Sequence, residues 1–99
     1  MSKFGEIINT DVPVLINFYT NRNDSSEVMH SVVRNIAATL GDKAKVVKID
    51  IDKNHDLAEA LRVSSVPAFM IYKNGQMVWR QSGESDAESI IAAVQKYVS

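Results

Sequence analysis

The chain has 99 residues, 45% hydrophobic and 23% charged, with a formal net charge of −1 and no cysteine. That length holds one domain, residues 1–99, of ordinary globular composition. Interspersed, nearly balanced charges leave no basic footprint for nucleic acid or an acidic membrane, and the missing thiols exclude disulfides, thiolate metal sites and thiol nucleophiles.

The opening residues 1–6 lack the apolar core of a signal peptide, and no apolar run is long enough to span a bilayer, so the expected compartment is cytoplasmic. Residues 2–9 place Phe4, Ile7 and Ile8 at helical spacing behind Ser2 as an N-cap, and predict a short helix closed by the turn before Pro13. Residues 14–19 form a near-continuous apolar run, the pattern of a central strand buried on both faces, interrupted by Asn17. A buried amide needs partners, so Asn17 is expected either to be satisfied by neighbours or to sit beside an opening. Asp24 and Glu27 then fit a capping box that starts a long helix ending at Gly41. Val28, Val32, Ile36 and Leu40 give its expected buried stripe, with Met29, Val33 and Ala37 beside it.

Residues 45–51 alternate in part, Val47, Ile49 and Ile51 against Lys48 and Asp50. They predict a strand at a sheet edge, where lysines discourage edge-to-edge pairing. A short helix over 54–61 turns Leu57, Ala60 and Leu61 inward. Pro67 precedes a strand over 68–72, Asn74-Gly75 signals a hairpin, and 76–81 return. Ser85 and Glu88 fit a capping box for a last helix with Ala87, Ile90, Ile91, Val94 and Tyr97 inside. The order α-β-α-β-α-β-β-α predicts an α/β fold, a mixed sheet of about four strands with helices on both faces. Its first three strands are expected parallel and the fourth antiparallel.

Four segments carry a resemblance. They are Pro13-Val14-Leu15-Ile16-Asn17-Phe18-Tyr19, Lys48-Ile49-Asp50-Ile51-Asp52, residues 62–69 around Val66-Pro67, and Lys73-Asn74-Gly75 with Gly83. In order and spacing they resemble the thioredoxin family across nearly the whole chain. The resemblance implies a thioredoxin-like fold without the family's first strand, since only twelve residues precede Pro13, and with 45–51 at an open edge.

The family's first motif strand leads into W-C-x-x-C at a helix N-terminus. Here the tryptophan falls on Arg22, the two cysteines on Asn23 and Ser26, and the family's buried aspartate on Asn17. An amide cannot attack a disulfide, a neutral hydroxyl is a poor nucleophile, and a carboxamide is no base. Three such losses predict a chain that is not a thiol–disulfide oxidoreductase.

The family's proline, Pro67 here, is cis, and the backbone before it pairs with an extended substrate segment, a form of β-augmentation. Matched position by position, that surface comprises Arg22, Asn23, Asp24, Ile51, Val66, Pro67, Ser82 and Gly83. The expected function is a redox-inactive module that binds an extended segment of another polypeptide, with Arg22 favouring an acidic one. The rivals are a structural or oligomeric subunit, an accessory to thiol–disulfide exchange in cell redox homeostasis that uses a partner's thiols, and a proline kept for the turn alone. The sequence leaves the oligomeric state open.

Two sharper patterns carry less. Ser26 and His30 lie four residues apart on one helix, but no acid is evident to orient the imidazole. Asp50-x-Asp52-x-Asn54 starts like a calcium loop, yet His55 stands where the glycine belongs and Leu61 where the bidentate glutamate belongs. His30 and His55 read as surface residues, and neither a metal nor a cofactor is expected.

Overall fold

The apolar run after Pro13 is the middle of the sheet. The computed structural model describes residues 3–21 and 25–98, with the backbone alone for Ser25 and Ser26. The expected Ser2 cap and the Asp24 half of the capping box lie outside the described residues. The elements are α1 (Lys3–Ile8), β1 (Val14–Tyr19), α2 (Ser25–Leu40), a 3-10 turn (Gly41–Lys43), β2 (Lys45–Asp50), α3 (His55–Ala60), β3 (Ala68–Lys73), β4 (Gln76–Ser82) and α4 (Ala87–Gln95).

The strands lie in the order β2-β1-β3-β4, so β2 is an edge, as expected. β1 and β2 are parallel, from Val14↔Lys45 to Tyr19↔Asp50. β3, however, runs antiparallel to β1, with Phe18 opposite Ala68, which corrects the expectation of three parallel strands. A parallel return from β2 needs a crossover as long as the sheet. α3 has 6 residues and rises about 9 Å, under half the ~20 Å of a six-residue strand. The chain therefore re-enters the sheet at the end it left.

Side chains alternate across β1 and divide the core into two layers. Leu15 faces α2 and α4, where Met29, Val33, Ile36, Leu40, Ile90, Ala93 and Val94 bury together with Phe69 and Ile71. Val14, Ile16 and Phe18 face α1 and α3, with Ile49, Ala68, Met70 and Tyr72. Phe4 of α1 meets the Tyr72 ring edge-on at 5.4 Å.

Two expected helix faces and one expected cap need correction. Val28 is 61% exposed, and the buried stripe of α2 is Met29, Val33, Ile36 and Leu40. Positions four apart drift about 40° per step around a 3.6-residue helix, so a stripe that lies on the core at Leu40 starts about 120° away from it at Val28. In α3 it is Ala58, not Ala60, that is buried. These two alanines sit about 80° to either side of the Leu57/Leu61 line, so periodicity cannot choose between them. The returning chain decides it, through the bond from Val63 N–H to the Ala58 carbonyl at 2.9 Å. In α4 the N-cap is Asp86, one residue after the expected Ser85, and its carboxylate accepts from the Ser89 amide at 2.9 Å. A carboxylate is the stronger acceptor for an orphan N–H at a helix start.

Gly41 ends α2 at φ +57°, and the hairpin tip holds Asn74 and Gly75 at φ +55° and +81°. Arg62 also adopts positive φ, +58°, after α3. The Arg80 guanidinium bridges the exposed carbonyls of Leu61 and Arg62, both at 3.0 Å, and so ties the end of α3 to β4.

Candidate functional site

One end of the sheet gathers the residues that matter. β1 leaves at Tyr19, β2 at Asp50 and β4 at Ser82, while β3 enters there at Ala68. The structure brings Ile51, Val66, Pro67, Ser82 and Gly83 of the predicted peptide site to this end. Arg22, Asn23 and Asp24 lie outside the described residues, as does the Ser26 side chain.

Ile51 and Val66 are partly buried against the layer under α1 and α3. The Val66-Pro67 peptide is cis. The Pro67 carbonyl accepts the Gly83 N–H at 2.9 Å, which fastens the entry to β3 onto the residue after β4. Gly83 does this at φ +95°, a conformation L side chains rarely adopt. Between these fixed points, neither the N–H nor the C=O of Val66 bonds to any described residue. Ser82 is exposed beside them. An open depression of about 320 Å³ adjoins Ile51, with Ala58 and Val63 as its apolar lining and Asp52, His55 and Glu59 as its polar one.

A polar network that the sequence reading did not find locks the ends of β1 and β2 together. Asp50 is only 7% exposed. Its carboxylate accepts from Asn21 Nδ2 at 3.0 Å and from the Asp52 N–H at 2.8 Å. Its carbonyl takes Asn54 through both the backbone N–H (3.1 Å) and Nδ2 (2.9 Å). Thr20 donates its hydroxyl to Asp52 at 2.7 Å. The calcium-like triplet Asp50, Asp52, Asn54 is therefore spent on the fold itself. Among the described residues, no three His, Asp or Glu could hold a metal ion, and no helix is long and apolar enough to cross a membrane. The alternation of 45–51 sets Asp50 on the face opposite the inward isoleucines, so the pattern alone gave no sign of its burial.

Asn17 is not satisfied by its described neighbours. It is wholly buried, and among the described residues its Nδ2 reaches only the neighbouring Phe18 carbonyl at 3.4 Å and its Oδ1 has no partner. It shares the α2 face of β1 with Leu15 and Tyr19. A neutral amide there accepts no proton, so the position offers no base.

His30 is also corrected. It is half-buried rather than a surface residue, its ring stands edge-on to Tyr19 at 4.7 Å, and its buried Nδ1 has no partner among the described residues. Among the described residues no acid meets that nitrogen to orient the imidazole. His55 is exposed, as expected, with Asp56 and Glu59 at 3.9 and 3.8 Å.

Comparison with known proteins matches residues 1–96 to the family described as Thioredoxin. The chloroplastic thioredoxin Y of Oryza sativa is 32% identical over 95 residues, which cover 95% of this chain and 56% of that protein. The thioredoxin of Porphyra purpurea is 33% identical over 94 residues, 95% of this chain and 88% of that one. The chain thus spans about half the length of the thioredoxin Y proteins it matches. Among solved structures, a mutant thioredoxin from Halobacterium salinarum superposes with a TM-score of 0.87 at 26% identity, covering 100% of this chain and 86% of that one.

Proposed function

The chain belongs to the thioredoxin family, and from that premise we propose that it is a redox-inactive binding module, which holds an extended segment of another polypeptide along the Val66 edge. The observation that carries the reading is the backbone of Val66. A partly buried peptide whose N–H and C=O find no described partner is a two-bond docking point for a strand. Its neighbours are fixed in place by the Gly83–Pro67 bond and the Asp50 network. The depression beside Ile51 offers room for a side chain of the bound segment. The reading includes no thiol–disulfide exchange of the chain's own, because without cysteine it has no thiolate to attack a disulfide.

Two measurements test it together. Insulin reduction with dithiothreitol should stay at the dithiothreitol background. Peptides selected from a random display library on the wild-type protein should bind weakly to Val66→Glu, which sets a charge across the docking edge. Selected peptides that bind Val66→Glu equally well overturn the reading. A chain that selects none, yet sediments as a dimer, favours the oligomeric subunit with β2 as its edge.

A further inference from the structure

Of the chain's asparagines, only Asn74 precedes a glycine. In such a pair the glycine amide nitrogen is a nucleophile that no side chain shields. Its attack on the Asn74 side-chain carbon, after loss of its proton, forms the N–C bond of a five-membered succinimide and expels ammonia. Water then reopens the ring, at one carbonyl to aspartate and at the other to isoaspartate. No oxidant, metal or enzyme is needed. Asn74 and Gly75 are both exposed at the hairpin tip, where water and base reach them.

The nucleophile is nonetheless occupied. The Gly75 N–H donates to the Ile8 carbonyl at 3.1 Å, and the Asn74 N–H donates to the Thr10 carbonyl at 2.9 Å. The end of α1 and the turn after it therefore clamp the hairpin tip. α1 is itself held by the buried Ile8 and by Phe4 against Tyr72. An amide proton held by a carbonyl must leave that bond before the nitrogen can lose it and attack.

We propose that Asn74 is a site of spontaneous deamidation that docked α1 keeps silent, so that the reaction runs only from conformations in which the Gly75 N–H has left Ile8. Isoaspartate would add one backbone atom to a tip whose register, Lys73↔Gln76, is set by a two-residue turn. The product thus records how long α1 has spent undocked.

The test follows Asn74 by peptide mapping of the full chain at mildly alkaline pH. In the folded protein its deamidation should run at least about tenfold slower than in the urea-unfolded chain, as local protection implies. Phe4→Ala should raise hydrogen exchange at the Gly75 amide and deamidation at Asn74 by the same factor, about tenfold. If Phe4→Ala unfolds the chain, Phe4→Leu, which removes only the ring contact, serves for the same comparison. Equal rates in the folded and unfolded chain overturn the proposal. So does faster exchange at Gly75 without faster deamidation.

Discussion

Gly83 donates its amide proton to the carbonyl of Pro67 at 2.9 Å, and this bond sets the Val66 edge against the end of β4. The constraint on residue 83 is conformational rather than steric. A Cβ there would meet nothing within 4 Å, but the backbone stands at φ +95°. Gly83→Ala should therefore lose about 1–3 kcal/mol in urea unfolding, and amide exchange should rise first at residue 83. A variant as stable as wild type would mean that the Pro67–Gly83 tie tolerates another backbone conformation.

Asp50 is the hub of the other half of the site. Asp50→Ala removes a buried acceptor that serves Asn21 and the Asp52 amide, and should cost about 1.5–3 kcal/mol. Asp50→Asn keeps one oxygen for the Asp52 amide but turns an NH₂ toward Asn21, so it should fall between the two. Chemical denaturation of the three proteins at neutral pH gives the order.

These two residues also mark what the sequence could and could not disclose. The element order and the burial of residues 14–16 and 18 were legible because a central strand must be apolar on both faces. Asp50 was not, because a carboxylate in an alternating strand reads as solvent-facing until the neighbouring strand end supplies Asn21. The direction of β3 was missed for a related reason. Motif order fixes which elements follow one another, whereas only the length of α3 against the sheet decides which end the chain re-enters. The residues that would contact a partner split the same way. Resemblance alone names Ile51, Val66, Pro67, Ser82 and Gly83 for the proposed docking edge, while a Val66 backbone without a described partner is visible only in three dimensions.

Asn17 predicts a gain of stability. Its buried Oδ1 has no described partner, and the bond it donates to the Phe18 carbonyl is long. Asn17→Leu keeps the same branched arrangement of four side-chain heavy atoms and removes the unsatisfied oxygen, so stability should rise by about 1 kcal/mol. A loss of that size in thermal and urea unfolding would show that the amide makes interactions this geometry lacks.

Asp86 gives stability a pH dependence. Hydrogen bonding from Ser89 lowers its carboxyl below the usual 3.8. A depressed carboxyl stabilises the fold above its unfolded value, and the contribution disappears as pH falls through the lower, folded value. Asp86→Ala should therefore lower the melting temperature at pH 7 and converge on wild type in strong acid. Asp86→Asn, still a good N-cap, should keep most of the neutral-pH stability and lose that acid-limb slope. Parallel melting curves for wild type and Asp86→Ala from pH 2 to 7 would remove the cap as their cause.

The scaffold should regain part of the family's chemistry when the two thiols are restored. Resemblance places the family's cysteines at Asn23 and Ser26, the second in the first turn of α2. Cα atoms in a favourable disulfide lie roughly 4.4–6.8 Å apart, which a loop entering a helical turn can supply. Asn23→Cys, Ser26→Cys should therefore close on oxidation. The N-terminal end of α2 and the charge of Arg22 favour a thiolate at position 23, making it the attacking sulfur. The double variant should reduce insulin measurably but slowly, since the amide of Asn17 accepts no proton. Adding Asn17→Asp puts a carboxylate on the α2 face of β1, where burial raises its pKa toward that of a working base, and the rate should rise again. Thiol titration reads closure and the insulin assay reads rate. A double variant whose thiols never pair would displace the alignment at Asn23 and Ser26, and a triple variant no faster than the double would remove Asn17 from the place of the missing base.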